Sequence, residues 1–506
     1  MSRLPDDCYS RLLQELSAIP GSQHTMRRNA QPSAQHARKH NIRLIVKSSG
    51  HDFIGRSNAP NSLSIWTHHM KGIKTHNSFR PNRCKVAIKK TAVTVGAGMQ
   101  MKDIYSALDP LSQTIVGGSR KTVSVGGLLT GAGHSLLSPR YGLSADEVLE
   151  MELVTPQGEI VTANECQNTD LFWAMRGGGG STFGIITSLT MLTHPTPKLD
   201  TVTLIIATSD ISRQRTIFSM VAYVLSTFPR LADAGMSGYN YFFSSFPNPL
   251  DNGNTTVGGI LLAMALQDAS PEIMKALWDP VLAHIETTWP GLFQVMYQPR
   301  AYPTYLAWFM ARNDTMQAGT NTHIGSRLLD EKALTKGGLR RRAEALRVFA
   351  GGEVATVFLV SGKGVHEARP RGCGNAVLPA WRRAYVHATL GVDFKPLDPA
   401  AAAAASEQVK TRVSALRQLA PDMGAYMNEA DFEEPNWQHE FWGANYKRLL
   451  RIKRAVDPDD VFWCNPCVGN ERWEQVGDRL CRVRDDNQGL SQARANEMRC
   501  SLGMGP

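Results

Sequence analysis

Clusters of glycine between residues 30 and 197 constrain the fold more than any other feature of this 506-residue chain. They alternate with short runs rich in β-branched residues, at positions 42–47, 63–66, 93–96, 148–154, 160–162 and 184–192. Each glycine destabilises a packed domain by about 0.5–1 kcal/mol where alanine would fit. We therefore expect a backbone that closely approaches an extended ligand, with the tight turns of a β-rich domain as the alternative.

The composition is that of a globular protein, with 42% hydrophobic and 20% charged residues. The length predicts two or three domains. No apolar run reaches the ~18 residues that a membrane-spanning helix needs, because serines interrupt the best candidate at residues 216–228. The basic residues behind the net charge of +10 are scattered, which argues against a nucleic-acid partner.

The residue composition and hydrophobic pattern of the chain change twice after residue 197. Residues 199–419 alternate helix-like patterns with strand-like ones, which predicts a sheet covered by helices. Residues 421–475 are rich in aromatic residues and asparagine, whereas the charged tail at 476–506 is predicted to be disordered. Residues 1–29 contain no apolar core of a signal peptide, so the localisation is left unassigned.

Three glycine-rich motifs carry the chemistry. The first, K-S-S-G-H-D-F-I-G-R-S at residues 47–57, follows a strand and offers backbone N–H groups to a phosphate. The second spans residues 96–142 and includes V-G-G twice, G-A-G-H and S-P-R-Y-G, and the third is N-T-D-L-F-W-A-M-R-G-G-G-G-S-T-F-G at residues 168–184. Neither a G-x-G-x-x-G after a strand nor a G-x-x-x-x-G-K occurs, which disfavours Rossmann and P-loop sites.

In this order, and followed by Y-M-N-E-A-D at residues 426–431, these motifs resemble the vanillyl-alcohol-oxidase-type FAD proteins. Within them the chain is similar to the berberine-bridge-enzyme-like branch, and closest to fungal members, which include alcohol oxidases and chanoclavine synthases. The resemblance covers residues 32–197 and 420–473 well and the middle weakly.

The resemblance implies an α+β fold in three parts. The first region (residues 32–197) is expected to be a PCMH-type FAD-binding domain of two subdomains, and the middle region (198–420) a substrate-binding domain. The return segment (421–475) is expected to come back to the flavin. Residues 1–31 do not resemble the strand–helix–strand stretch of relatives, so we expect a truncated FAD-binding domain.

The resemblance also implies how FAD is held. His51 matches the histidine that is bonded to the flavin, and Arg120 stands where many relatives carry a second, cysteine attachment, so we expect a single covalent bond. The other positions that match flavin contacts are Ser48, Ser49, Gly50, Asp52, Gly55, Arg56, Gly117, Gly118, Thr122, Gly126, Gly127, Gly133, His134, Ser138, Tyr141, Gly142, Gly184, Ile186 and Asn428.

The implied reaction is oxidation of a small organic substrate, with electrons passing to O2. Period-two alternation places Tyr385 and His387 on one face of a predicted strand, and Tyr426 comes from the return segment, so these three are the candidate bases. Such a stripe is also typical of a half-buried sheet face. Val123 matches the position that controls oxygen access in relatives, where a small side chain favours an oxidase, although it could equally be a β-branched residue filling the core.

Three alternatives remain from the sequence. The chain could be a flavin-binding pseudoenzyme, a dehydrogenase that uses another acceptor, or a basic protein that binds polyanions on the same scaffold. Cys464 and Cys467 have the spacing of a zinc knuckle or a redox pair, but no second C-x-x-C completes four ligands. We expect a disulfide or buried thiols there, and no metal.

Overall fold

Two antiparallel sheets organise the chain, one formed before residue 197 and one after it. The computed structural model describes residues 23–248, 251–312, 320–477 and 479–483, with side chains described from residue 30 onward. Within these residues helices cover the sheets, so the architecture is α+β.

The first region contains nine strands in its described part. They are β1 (Leu44–Lys47), β2 (Leu63–Trp66), β3 (Ile73–His76), β4 (Ala92–Gly96), β5 (Gln113–Thr114), β6 (Val148–Val154), β7 (Ile160–Asn164), β8 (Ile185–Leu192) and β9 (His194–Pro195). Strands β1 and β2 pair in parallel, with Leu44 opposite Leu63. A separate antiparallel sheet has the order β3-β4-β8-β6-β7. Its central strand β8 is buried on both faces, because it lies between β4 and β6 in the middle of the sheet.

One 17-residue helix precedes these strands and four short helices lie between them. They are Gln23–Lys39, Met101–Leu108, Val125–Gly131, Ser138–Tyr141 and Thr169–Met175. A disulfide between Cys84 and Cys166 joins two loops that are 82 residues apart. The first region is thus divided into a small parallel part and a larger antiparallel part.

The middle region forms a seven-stranded antiparallel sheet from described residues. Its strands are β10 (Leu199–Thr208), β11 (Ser237–Pro247), β12 (Thr256–Gln267), β13 (Gln294–Tyr302), β14 (Thr322–Asp330), β15 (Val354–Leu359) and β16 (Ala384–Asp393). They lie in the order β13-β10-β12-β11-β15-β16-β14. Strands β15 and β16 therefore lie inside the sheet, where their side chains are shielded from solvent.

Helices pack onto this sheet. They are Gln214–Ser226, Phe228–Asp233, Pro271–Thr288, Tyr305–Ala311, Glu331–Thr335, Leu339–Ala350, Lys363–His366 and Pro399–Leu419. The last begins where Asp398 Oδ1 accepts the N–H of Ala401 at 3.0 Å, an N-cap before an alanine run of high helix propensity. None of the described helices combines the length and the apolar character needed to cross a bilayer.

The return segment packs back onto the first region. Its helices are Trp437–Trp442 and Tyr446–Val456. From the second of these, the buried Lys453 donates hydrogen bonds to the carbonyls of Thr182 and Phe462. Phe462 also forms a parallel bridge with Leu44 of β1. The end of the chain is therefore anchored to the strand that precedes the His51 loop.

The structure tests two predictions about the C-terminal part of the chain. Cys464 and Cys467 form a disulfide, which was one of the open alternatives. The tail predicted to be disordered from residue 476 begins instead within a hairpin, whose strands are β17 (Trp473–Val476) and β18 (Arg479–Arg482). The cation of Arg482 lies 5.9 Å from the Trp473 ring across this hairpin. Residues 484–506 lie outside the described residues.

Candidate active site

The loop that follows β1 lies against the glycine-rich stretch near residue 120. His51 Nε2 is 2.6 Å from the Thr122 hydroxyl, and Ser49 Oγ accepts the N–H of Ser124 at 3.3 Å. Arg120 precedes this contact by two residues. Two segments that the sequence predicts as flavin contacts are thus brought together.

Buried polar atoms without partners lie at this junction. Among the described residues, the hydroxyls of Ser57 and Ser124 and the Nη1 atom of Arg56 are buried and make no hydrogen bond. A Cβ added at Gly127 would meet no atom within 4 Å. Since buried polar atoms nearly always find a partner, these atoms fit the oxygens and nitrogens of a bound dinucleotide. The residues present therefore fit FAD.

Asn428 of the return segment links this loop to Tyr426. Arg56 pairs with Asp52 and donates from Nη2 to Asn428 Oδ1 at 2.7 Å. Asn428 Nδ2 donates to the Tyr426 hydroxyl at 2.9 Å, and the N–H of Gly133 donates to the same oxygen at 3.3 Å. Burial raises the pKa of Tyr426 well above its usual value. Tyr426 is therefore arranged to donate its proton in a hydrogen bond, and not to act as a base.

Two buried histidines share one carboxylate next to Tyr426. His134 Nε2 is 3.2 Å from Glu429 Oε1, and His387 Nε2 is 2.8 Å from Glu429 Oε2. With each Nε2–H directed at the carboxylate, each Nδ1 keeps its lone pair. Both Nδ1 atoms are buried and have no partner among the described residues. We call these three residues the histidine–glutamate cluster.

The charges in the cluster follow from burial and from mutual attraction. Burial lowers the pKa of His387, although the Glu429 carboxylate opposes this shift. Burial by itself would raise the pKa of Glu429, but His134 and His387 hold it well below its usual range. At neutral pH the cluster is therefore an anionic carboxylate beside a neutral His387, which can accept a proton.

Aromatic rings enclose the cluster. The Trp381 ring lies 6.2 Å from that of His387, while Tyr239 and Phe358 lie 6.2 and 6.0 Å from His134. Trp381 is 1% exposed. These rings exclude water from the imidazoles, which strengthens the electrostatic interactions among them.

The same three side chains have the composition of a metal site. Their ligand atoms lie within 4.8 Å of one another. Imidazoles that bind a metal usually donate their other N–H to a carboxylate or carbonyl. Neither His134 nor His387 has such an acceptor at Nδ1, so the arrangement favours a proton acceptor over a metal ligand.

The structure does not bring Tyr385 into the cluster. A register shift between Leu329 and Asp330 leaves Tyr385 at a β-bulge in β16, where the alternation of side chains is disturbed. The Tyr385 hydroxyl donates to Asp233 at 3.3 Å. Burial, reinforced by Asp233, raises the pKa of Tyr385 to about 12. Of the two strand residues predicted as bases, only His387 lies in the histidine–glutamate cluster.

Val123 lies in the segment that contacts His51. Its Cγ1 would be 3.8 Å from a Cβ added at Gly118, and its carbonyl accepts the N–H of Met101 at 2.9 Å. The side chain is half-buried. Its contact with the flavin and its control of oxygen access stay predictions.

Some of the predicted flavin contacts have structural partners of their own. Ser138 Oγ accepts the N–H of Ser135 at 2.9 Å, and the Tyr141 ring stacks on His194 at 3.9 Å. A Cβ at Gly117 would lie 2.6 Å from the Tyr105 hydroxyl, so packing alone explains that glycine.

Other predicted positions permit the backbone geometry of the site. Gly50 and Gly133 have φ of +82° and +76°, values that favour glycine. A Cβ at Gly184 would lie 2.9 Å from the Val154 carbonyl, and Ile186 is buried in β8. The remaining cofactor positions, which stay predictions, are Ser48, Gly55, Gly126 and Gly142.

Glu429 is the functional residue that the sequence did not predict. His134 was expected as a flavin contact only, whereas the structure places it beside His387. Glu429 directly follows Asn428 in Y-M-N-E, so the motif could have predicted that Glu429 lies near the site. Its two histidine partners could not.

Comparisons with known proteins show the family of this chain. A family model described as FAD binding domain matches residues 30–164, and one described as Berberine and berberine like matches residues 425–469. An FAD-linked oxidoreductase of Arthroderma benhamiae is 36% identical over 469 residues, covering 90% of this chain and 77% of that protein. The FAD-linked oxidoreductase patO of Aspergillus clavatus is 33% identical, covering 88% and 75%.

A solved structure shows the same architecture. The VAO-type flavoprotein MtVAO713 from Myceliophthora thermophila C1 superposes with a TM-score of 0.83 at 29% identity, covering 90% of this chain and 81% of that one. The predicted α+β, PCMH-type fold is thereby confirmed. The chain belongs to the berberine-bridge-enzyme-like branch of the VAO-type FAD-linked oxidoreductases.

Proposed function

We propose that this protein is an oxidase that converts a small alcohol or amine of fungal secondary metabolism, such as an alkaloid, to the carbonyl or imine. The substrate loses two electrons and two protons, and O2 gains them as hydrogen peroxide. When bound, FAD supplies the two-electron acceptor between them. We further propose that His51 holds FAD by a single covalent bond.

The histidine–glutamate cluster is the observation that supports this proposal most strongly. His387 is neutral, buried and oriented by Glu429 through Nε2, as the base of a catalytic triad is oriented by its carboxylate. Its Nδ1 is the buried acceptor that a substrate hydroxyl or amine requires. We assign His387 as the base and Glu429 as its positioning residue.

His134 and Tyr426 complete the assignment. His134 presents a second buried acceptor 5.5 Å from the His387 ring, measured between centroids. The Tyr426 ring is also 5.5 Å from that of His387, and its hydroxyl proton is available to the substrate oxygen or nitrogen. The substrate group is thus held by one donor and two acceptors, in a site from which aromatic rings exclude water.

We also propose that the division into a flavin-binding first region, a substrate-binding middle region and a return segment is functional. The relatives support fungal secondary metabolism by their names, since one is the Bifunctional decalin synthase calF of Penicillium decumbens, at 33% identity. The nature of this chain's substrate is inferred from its own residues in the next subsection.

Three measurements test the oxidase. Purified protein should be yellow, should stay yellow after acid precipitation, and should release peroxide with members of an alcohol and amine panel. His387→Gln should abolish flavin reduction while flavin is retained. His284→Gln is the matched control, because His284 stacks on Tyr223 at 4.0 Å on an exposed helix face.

The outcomes separate the alternatives. Yellow protein without turnover on any substrate would indicate a pseudoenzyme. Substrate reduction that proceeds with a dye and not with oxygen would indicate a dehydrogenase. Full activity in His387→Gln would refute the assigned base.

A further inference from the structure

Arg312 ends the helix Tyr305–Ala311 at the aromatic wall of the site. Its guanidinium carbon lies 5.0 Å from the ring centroid of Tyr239 and 5.0 Å from that of Trp308. Stacking on two rings fixes the plane of a guanidinium but uses none of its N–H donors. The side chain is thus oriented before any anion arrives.

Arg312 is half-buried, and its guanidinium has no acceptor among the described residues. Its side chain makes no hydrogen bond or ion pair with the described residues, and its Nη1 atom is buried. By contrast, the buried Arg176 donates to two carbonyls, and the buried Arg327 pairs with Glu440. A buried N–H donor without an acceptor is unfavourable, so an acceptor supplied by a ligand would stabilise this nitrogen.

A second polar group at the same place also lacks a partner. The Tyr239 hydroxyl is buried and makes no hydrogen bond of good geometry with the described residues, although the Ser119 side chain lies near it. Tyr239 is only 5% exposed. Its ring lies under Arg312 on one side and 5.0 Å from Phe358 on another. Two unpaired donors therefore lie together, and one anion could satisfy both.

Contacts connect this pair of donors to the site. The Tyr239 ring is 6.2 Å from that of His134, within the histidine–glutamate cluster. On the other side, Lys121 Nζ donates to the Arg312 carbonyl at 3.3 Å, and Lys121 is in the same loop as Arg120 and Thr122. Arg312 therefore lies between the proposed base and the loop that contacts His51.

We propose that Arg312 and Tyr239 bind a carboxylate carried by the substrate, so that the substrate is a planar aromatic or conjugated acid. A guanidinium fork matches the two coplanar oxygens of a carboxylate. The rings of Tyr239, Trp308 and Phe358 provide a wall for a flat apolar body. This inference rests on the proposed oxidase, because it concerns the substrate of the same site.

The test is calorimetric titration of the purified, full-length protein with benzoate and with benzamide, its neutral planar analogue. Benzoate should bind the wild type at least tenfold more tightly than benzamide. Arg312→Gln should remove that preference and leave benzamide binding unchanged. Arg300→Gln is the matched control, because Arg300 also lies over a ring, that of Tyr302 at 4.8 Å, but on an exposed edge strand.

Two further variants keep the test decisive. Tyr239→Phe should weaken benzoate binding less than Arg312→Gln does, since one neutral donor is lost instead of a charge. Arg312→Lys, which retains the charge without the planar fork, should bind benzoate with intermediate affinity. If Arg312→Gln does not fold, the comparison of wild type with Arg312→Lys and Tyr239→Phe takes its place.

The results that overturn the proposal are specific. Equal affinity of the wild type for benzoate and benzamide would refute it, as would a full benzoate preference in Arg312→Gln. Tighter binding of inorganic phosphate than of benzoate would refute the carboxylate. Failure of the oxidase proposal is distinguishable, because a protein without turnover would still lose its benzoate preference in Arg312→Gln.

Discussion

Replacement of Glu429 by glutamine tests the assembly of the site most directly. The wild-type carboxylate accepts one hydrogen bond from His134 and one from His387. A glutamine in the same place has a single acceptor oxygen and a donor NH2. One imidazole must therefore lose its hydrogen bond or change tautomer, which would place an N–H at a buried Nδ1 that has no acceptor among the described residues.

The expected loss of rate and stability in Glu429→Gln follows from the loss of one hydrogen bond. A hydrogen bond to a charged group contributes about 1.5–3 kcal/mol, and each 1.36 kcal/mol corresponds to about tenfold in rate. We therefore expect kcat/KM for flavin reduction to fall by about 10- to 150-fold in Glu429→Gln. The free energy of unfolding should fall by about 1–3 kcal/mol, because a buried N–H is left without a partner.

The pH profile separates a positioning role from a general loss of stability. The carboxylate raises the pKa of His387 against the effect of burial, so its removal should lower that pKa. A base is active when it is unprotonated, so the acid limb of kcat/KM should move to lower pH while the maximum falls. Stopped-flow reduction measured across pH would show both changes.

Glu433→Gln is the matched control for this experiment. Glu433 lies four residues further along the return segment and accepts from the Ser406 hydroxyl at 2.6 Å. Its removal should leave the acid limb in place. An unchanged rate and acid limb in Glu429→Gln, or the same shift in Glu433→Gln, would refute the role assigned to Glu429.

Four further predictions concern the cofactor, oxygen and the paired cysteines. His51→Ala should release flavin into the supernatant of acid-precipitated protein, and free flavin from the wild type would contradict a covalent bond. Peptide mapping should find no wild-type cysteine bonded to flavin, whereas Arg120→Cys should add a second attachment. Val123→Leu should slow air reoxidation by orders of magnitude with substrate reduction unchanged, because one added methylene fills a channel as narrow as a diatomic molecule; slow reoxidation of the wild type would contradict this. Elemental analysis should find less than one zinc per chain, since Cys464 and Cys467 form a disulfide.

Elements with a strong local pattern could be predicted from the sequence. The run at residues 148–154 is the strand β6, and the alanine run begins the helix Pro399–Leu419. The edge strand β13 was missed because most of its side chains are exposed, so no hydrophobic alternation marks it. The helix-like stretch after β14 is two helices, Glu331–Thr335 and Leu339–Ala350, because Gly337 and Gly338 adopt φ of +77° and +80° between them.

In the candidate site, too, local features could be predicted from the sequence and features set by distant pairing could not. The motif around His51 is local, and its contact with Thr122 follows from the order of motifs that the family shares. The two-residue period of side chains along a strand predicts that Tyr385 and His387 share one face. A bulge in β16, formed where this strand pairs with β14, changes the environment of Tyr385. Interactions set by distant pairing leave no periodic signal in the sequence.

The return segment shows why the chemistry could not be assigned to any one predicted domain. Asn428 is bonded to Arg56 of the first region, and Glu429 joins His134 of the first region to His387 of the middle region across 295 and 42 residues of sequence. Two adjacent residues thus bring together groups that the glycine motifs and the strand pattern each reveal only in part. In the described chain neither His134 nor His387 makes a hydrogen bond to the other's region, so Glu429 of the return segment orients the proposed base. The proposed catalytic unit is therefore the junction of the three segments, and a change at Glu429 is expected to affect substrate oxidation while leaving the loop around His51 intact.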